Sequence, residues 1–207
     1  MHLTNEEEKV LAGERGEVAA RSMRLLVKLG DIYGAEKMIP IGSAQVAGVS
    51  YKSIGDPGRE FREDYAGQGA KVKVTTFLNP AGMDIDDWEE LKFPKAFAYQ
   101  QMRIMEAFRK MGIIMSASCT PYLAGNLPRY GEHIAWSESS AVSFANSVIG
   151  ARTNREGGPS ALAAAICGVT ADYGYHRDEN RKPHFHVKVS AKLEYSYFSL
   201  GEWMRSS

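Results

Sequence analysis

The stretch Gly112-Ile113-Ile114-Met115-Ser116-Ala117-Ser118-Cys119-Thr120-Pro121-Tyr122 decides the fold class. A short apolar run gives way to serines, a thiol and a proline turn, which reads as a buried strand handing polar residues to its carboxyl end. The pattern occurs twice upstream: Met38 to Ile41 leads into Gly42-Ser43-Ala44-Gln45, and Lys71 to Leu78 leads into Asn79-Pro80-Ala81-Gly82. Helical stretches alternate with these runs. The expected fold is therefore α/β, a mainly parallel sheet with flanking helices. In such sheets ligands gather outside the C-terminal ends of the strands, where backbone N–H groups and helix N-termini converge.

The helices carry their own signals. Thr4 followed by Glu7 has capping-box spacing, with acidic residues in the first turn. From Glu17 to Leu29 the apolar residues Val18, Leu25, Leu26 and Leu29 share one face, and Gly30 reads as the stop. Phe97 to Met111 carries Phe97, Gln101, Ile104, Met105, Phe108 and Met111, a stripe that reads as core packed on a sheet. Further helices are expected from Ser137 to Ile149 and from Ser160 to Ile166, both with small residues that allow close approach. Pro183 to Leu193 alternates as a strand does, with His184 and His186 on one side. With no third ligand nearby in sequence, that pair reads as a solvated or hydrogen-bonded face. There is no internal repeat or linker, so residues 1–207 read as one region. The ending Met204-Arg205-Ser206-Ser207 has no closing helix or stop, which fits the N-terminal portion of a longer protein.

Composition narrows the function classes. The chain has 207 residues, 44% hydrophobic and 24% charged, with 25 basic and 25 acidic side chains, so it can bury a real core. This balance gives no pull towards nucleic acid or an anionic membrane. No apolar run is long enough to span a bilayer and the acidic N-terminus is unlike a secretory signal, so a cytoplasmic location is expected. Two cysteines, Cys119 and Cys167, are too few for a disulfide framework.

Four segments are able to carry chemistry. Cys119, at a strand end before a proline turn, suits a metal ligand or a nucleophile, although free cysteines are also among the most buried residues. Cys167 ends the apolar run Ala163-Ala164-Ala165-Ile166 and reads as packing. Glu132-His133-Ile134-Ala135-Trp136-Ser137-Glu138-Ser139-Ser140 places carboxylates and hydroxyls at a helix start. Ser137 and Ser140 fit simple capping, whereas Glu138 beside Ser139 is placed to orient a hydroxylated ligand or move a proton. Gly150 to Pro159 contains Arg152 and Arg155, whose guanidinium forks suit an anion, or else an ion-pair network with Glu156 that fixes the loop. The acidic run Asp84 to Glu90 reads as a solvated loop, and no glycine pattern matches nucleotide-binding spacing.

Five blocks in order resemble the aconitase X family: Gly42 to Tyr51, Thr75 to Asp84, Cys119 to Asn126, Glu132 to Ala141 and Asn146 to Gly158. The likeness covers nearly the whole chain as far as Leu193. The forms Gly48-Val49-Ser50-Tyr51 and Asn79-Pro80-Ala81-Gly82 resemble the archaeal branch, which dehydrates mevalonate 5-phosphate, more than the bacterial branch, which dehydrates cis-3-hydroxyproline.

The resemblance implies an aconitase-like fold and the large subunit of an iron-sulfur hydro-lyase. It would form trans-anhydromevalonate 5-phosphate in the archaeal mevalonate pathway, with a small swivelling subunit that carries a catalytic serine completing the heterodimer. It implies a cluster, of the 4Fe-4S type, held by three cysteines of which Cys119 is one. The substrate, a small phosphorylated hydroxy acid, would be held by Gly48, Val49, Ser50, Asn79 and Pro80, with Glu138 and Ser139 at its reacting end. Arg152 and Arg155 are added from the residue reading alone. The alternatives are a dehydratase of a hydroxy amino acid and a non-catalytic binding fragment, the latter prompted by the shortage of cysteines.

Overall fold

The computed structural model describes residues 1–183 and 185–190. Its centre is a three-stranded parallel sheet, β2 (Ser43–Val46) between β3 (Thr75–Leu78) and β4 (Ala135–Trp136). Bridges widen it on both sides. Ile114 runs parallel to Phe77, its N–H donating to Thr76 O at 2.9 Å, and Arg152 runs parallel to His133, with Ile134 N donating to Arg152 O at 2.9 Å. A separate antiparallel ribbon joins β1 (Met38–Pro40) to β5 (Val169–Ala171).

Among the described residues six α-helices surround these strands: α1 (Asn5–Leu11), α2 (Glu17–Ile32), α3 (Tyr51–Gly67), α4 (Lys95–Lys110), α5 (Ser139–Phe144) and α6 (Gly158–Cys167). A π-helical turn, Ala145–Ile149, continues α5. The capping box of α1 is formed, with Glu7 N donating to Thr4 Oγ1 at 3.3 Å and Thr4 N donating to Glu7 Oε2 at 2.7 Å. No helix among the described residues is long and apolar enough to cross a membrane.

Side-chain size sets the layers. The residues Ser160 to Cys167 of α6 are all buried, because this helix is packed between α2 and the central strand β2. Its alanines let both neighbours approach closely. Ala44 and Ala135, paired across β2 and β4, join the α6 alanines with Met23 and Leu26 in one apolar cluster. The alternation of a strand turns Gln45 and Trp136, the next pair in register, towards the other face. There Ile134 and Trp136 pack with Ala141, Val142 and Tyr122. The α3–α4 pair closes the remaining side, with Ile104, Met105 and Phe108 against Val46 and Leu78.

Several elements differ from the sequence expectation. Met38 to Ile41 belongs to the antiparallel ribbon, and the parallel strand is the next segment, Ser43–Val46, which reads as a turn in sequence. Both faces of that strand are buried, so small and polar residues serve where their hydrogen bonds are met: Trp136 Nε1 donates to Ser43 Oγ at 3.3 Å. Lys71 to Leu78 forms a strand only over its last four residues, Gly112 to Ser118 contributes one bridge, and β4 falls inside the segment read as a helix start.

The helices show comparable differences. Gly30 does not stop α2, which continues to Ile32. A Cβ at Gly30 would lie 2.8 Å from Met1 Sδ and 3.2 Å from Ala171 Cβ, so this glycine permits close packing instead. Helix α3, absent from the sequence reading because of its Gly55, Pro57 and Gly58, exists with a kink where Gly55 takes φ 57° and ψ −163°. Residues 185–190 are in no strand among the described residues. His184 and the end of the expected strand lie outside the described residues.

Candidate functional site

Four turns follow the carboxyl ends of the parallel segments, and buried amides tie them together. Gln45 is 0% exposed and stands in the central strand. Its Nε2 donates to Asn79 Oδ1 at 2.7 Å and to Ser118 O at 3.1 Å, while its Oε1 accepts from Glu138 N at 3.3 Å. With its oxygen turned towards Gln45, Asn79 presents its amide nitrogen to Glu138, donating to Oε2 at 2.9 Å. Ser139 Oγ donates to Glu138 Oε1 at 3.3 Å. The Glu138 carboxylate is thus held from both sides.

Cys119 stands beside that carboxylate with an exposed thiol. Partial burial and the nearby charge of Glu138 hold the thiol above the ordinary cysteine range. The approach to Cys119 is unusual, because Ala117 has φ 42°, a left-handed conformation that costs a non-glycine residue roughly 1–3 kcal/mol. Its neighbours hold it there: Ser116 Oγ donates to Leu78 O at 3.0 Å and accepts from Leu78 N at 3.1 Å, and Ser118 N donates to Leu78 O at 3.1 Å. The strand edge sets the turn, and the turn presents the sulfur.

A second buried glutamine joins the remaining turns. Gln101, from α4, donates through Nε2 to Val49 O at 2.9 Å, and its Oε1 accepts from Tyr51 N at 2.9 Å and Gly82 N at 3.2 Å. It clasps the turn holding Gly48, Val49 and Ser50 to the loop after Asn79 and Pro80. Arg62 supports the same turn, donating to Gly48 O at 2.8 Å, and burial lowers its guanidinium pKa to about 10. Gly82 lies so close to Ser50 that a Cβ there would fall 2.2 Å from Ser50 Oγ.

The two arginines part company. Arg152 Nη1 donates to His176 O at 2.9 Å and Nη2 pairs with Asp178 at 2.5 Å, so it fixes the loop at residues 174–181. Its partner is Asp178, not Glu156; Glu156 is buried without a cation partner among the described residues, and burial raises its pKa. Arg155 makes no ion pair among the described residues. It lines a cleft of about 770 Å³ with Ser139, Ser143, Asn146, Tyr175 and Arg181.

Cys167 is distant from all of this. It is 6% exposed, and burial pushes its thiol up to about 12. No group of three or more His, Cys, Asp or Glu side chains that could hold a metal ion exists among the described residues, so these residues do not by themselves complete a metal site. An exposed thiol at a strand-end turn has the chemistry to ligate one iron of a cluster.

A family model described as aconitase X first domain matches residues 1–179. The chain belongs to the aconitase X family. It is 64% identical over 202 residues to the phosphomevalonate dehydratase large subunit of Methanocaldococcus jannaschii, covering 98% of this chain and 50% of that protein. The solved holo-form of Thermococcus kodakaraensis aconitase X superposes with a TM-score of 0.86 at 59% identity, covering 93% of this chain and 48% of that one. Further away is the cis-3-hydroxy-L-proline dehydratase of Pseudomonas aeruginosa, 36% identical over 183 residues, with 88% of this chain and 31% of that protein aligned. The chain thus spans about half the length of the phosphomevalonate dehydratase large subunit from Methanocaldococcus that it matches.

Within this aconitase X domain, Asn79, Glu138 and Ser139 are connected directly with Cys119 near the Glu138 charge, and Gly48, Val49, Ser50 and Pro80 are joined to them through Gln101 and the Asn79 loop. Arg152 stands apart from the group. The part that Gln45 and Gln101 play in joining the turns escaped the sequence reading, one residue lying in an apparent turn and the other in an apolar helical stripe. The signal available for both was an amide in an otherwise buried pattern, since such a group must find partners.

Proposed function

We propose that residues 1–207 form the N-terminal part of the large subunit of a cytoplasmic iron-sulfur hydro-lyase that dehydrates mevalonate 5-phosphate to trans-anhydromevalonate 5-phosphate. The observation that carries this reading is the junction of Asn79, Cys119, Glu138 and Ser139 at adjacent parallel strand ends, in a chain 64% identical to a phosphomevalonate dehydratase large subunit.

The reaction breaks a carbon–oxygen bond, removes a proton from the neighbouring carbon and releases water as the double bond forms. An iron-sulfur cluster, when bound, supplies a Lewis acid for the departing hydroxyl. In this chain Cys119 would hold one corner of it, with the other ligands outside these residues. Asn79 and Ser139 orient the Glu138 carboxylate towards the reacting end, where it holds or moves a proton. Gly48, Val49 and Ser50, at the start of α3, and Asn79 with Pro80 hold the body of the substrate. Arg155, which lines the cleft with Ser139, would meet the phosphate. A small swivelling subunit carrying a serine would close the crevice.

The test is turnover by the assembled two-subunit enzyme containing this chain, reconstituted anaerobically with iron and sulfide. Mevalonate 5-phosphate should disappear as a product lighter by one water accumulates. Turnover of cis-3-hydroxyproline with none of the phosphorylated substrate would transfer the protein to the other branch, and turnover of neither would leave the binding-fragment reading.

A further inference from the structure

We propose that Gln45 is a positioning residue for this site: from the central strand it sets the flip of Asn79, the place of Glu138 and the height of the Cys119 turn. The inference rests on the proposed dehydratase reading for its consequence in turnover, and on geometry alone for its consequence in structure.

Gln45 is fully buried, yet every polar atom of its side chain is used on a strand-end turn and none on its own strand. An amide has one donor end and one acceptor end, so its partners must match in kind. The Nε2 end faces two acceptors, Asn79 Oδ1 and Ser118 O, and the Oε1 end faces one donor, Glu138 N. Because Asn79 Oδ1 is occupied by Gln45, its Nδ2 is left for Glu138 Oε2. A reversed Asn79 would turn an oxygen on the carboxylate. The polarity of Gln45 is thereby passed through Asn79 to Glu138, and its second proton ties down the carbonyl of the residue before Cys119. Partners 34, 73 and 93 residues away in sequence meet on one side chain.

Two variants separate this from a purely structural role. Gln45→Met keeps length and removes the polar ends; Gln45→Glu keeps shape and an acceptor for Glu138 N but loses both donors. In the assembled, cluster-loaded enzyme each should lower kcat by about 10- to 100-fold, as loss of a residue supporting the reacting groups does, while KM changes by less than about threefold. Combined with Asn79→Ala, Gln45→Met should add little to the loss from Asn79→Ala alone, since one acts largely through the other. In this chain without cluster, both variants should speed maleimide labelling of Cys119 severalfold at one fixed pH, with buried Cys167 still protected.

Multiplicative losses in the double variant would overturn the proposal, as would unchanged Cys119 labelling, or release of Cys167 in both variants, which would assign Gln45 to the fold and not to the site. The labelling result stands even if the wild-type enzyme fails to turn over mevalonate 5-phosphate. That outcome would end the dehydratase reading and leave the role of Gln45 in setting the turns intact.

Discussion

Cys119 and Cys167 carry the same side chain into opposite settings. Cys119 sits at the polar edge of the sheet, on a turn strained at Ala117, next to a carboxylate and open to solvent. Cys167 ends the alanine-rich helix α6, its thiol against the Ala19 carbonyl at 3.8 Å, in a cluster of Met23, Leu26, Ala163 and Ala164. The contrast teaches where this fold spends its order. On the α6 side, small apolar residues allow helix and sheet to come close, and the reward is stability. On the strand-end side, amides and hydroxyls hold a few groups in place.

Substitution should separate these two economies, the largest effect coming at the exposed sulfur. Cys119→Ser in the assembled enzyme should lower turnover by about 1000-fold or more, the scale of losing Lewis-acid assistance worth several kcal/mol. Thermal unfolding of this chain should shift by no more than about 0.5 kcal/mol, because the site is exposed. A large stability loss with intact turnover would erase the contrast.

Glu138→Gln comes next. It keeps the shape and the Asn79 contact in part but removes the proton acceptor, so kcat should fall by about 100- to 10,000-fold with a smaller change in KM. Steady-state kinetics of the two-subunit enzyme checks this, and a loss confined to KM would move Glu138 from proton handling to binding alone.

Cys167→Ser sharpens the other half. A hydroxyl placed in that apolar cluster should cost about 1–3 kcal/mol of stability in denaturant unfolding. Turnover per folded molecule should remain at the wild-type level.

The last effect appears only under acidic conditions. Burial, with His133, Arg152 and Arg181 around it, lowers the His176 imidazole from 6.5 to about 3, and its Nδ1 lies 3.0 Å from that of His133. Below 6.5 the unfolded chain takes up this proton and the folded chain does not. Stability therefore declines as the pH falls from 6.5 towards 3. His176→Asn should flatten that decline in unfolding measured across the window, and an unchanged slope would refute the assignment.

Much of the scaffold was legible in advance. The capping box of α1, the apolar stripe of α4 and the alanines of α6 announce their elements through local spacing, which a helix enforces within a few residues. The packing role of Cys167 was legible for the same reason. The sheet was less so. β2 is only four residues long and β4 only two, so neither is long enough to stand out as a strand. Helix α3 was hidden by glycines and a proline that tertiary contacts tolerate at a kink. Arg152 shows the limit for sites: the residue type suits an anion, but only the fold supplies Asp178 as its partner.

By itself the sequence determined that polar turns follow buried segments, that Cys167 ends an apolar run and packs, and, through ordered blocks of residues, the family. Only the tertiary structure decided that Ser43–Val46 is the central strand and that Gln45 joins Asn79, Ser118 and Glu138. Local patterns arise from contacts a few residues apart and are written in spacing. A hydrogen bond between residues 93 apart leaves no such period, because the chain between them is free to vary as long as the strands return to register.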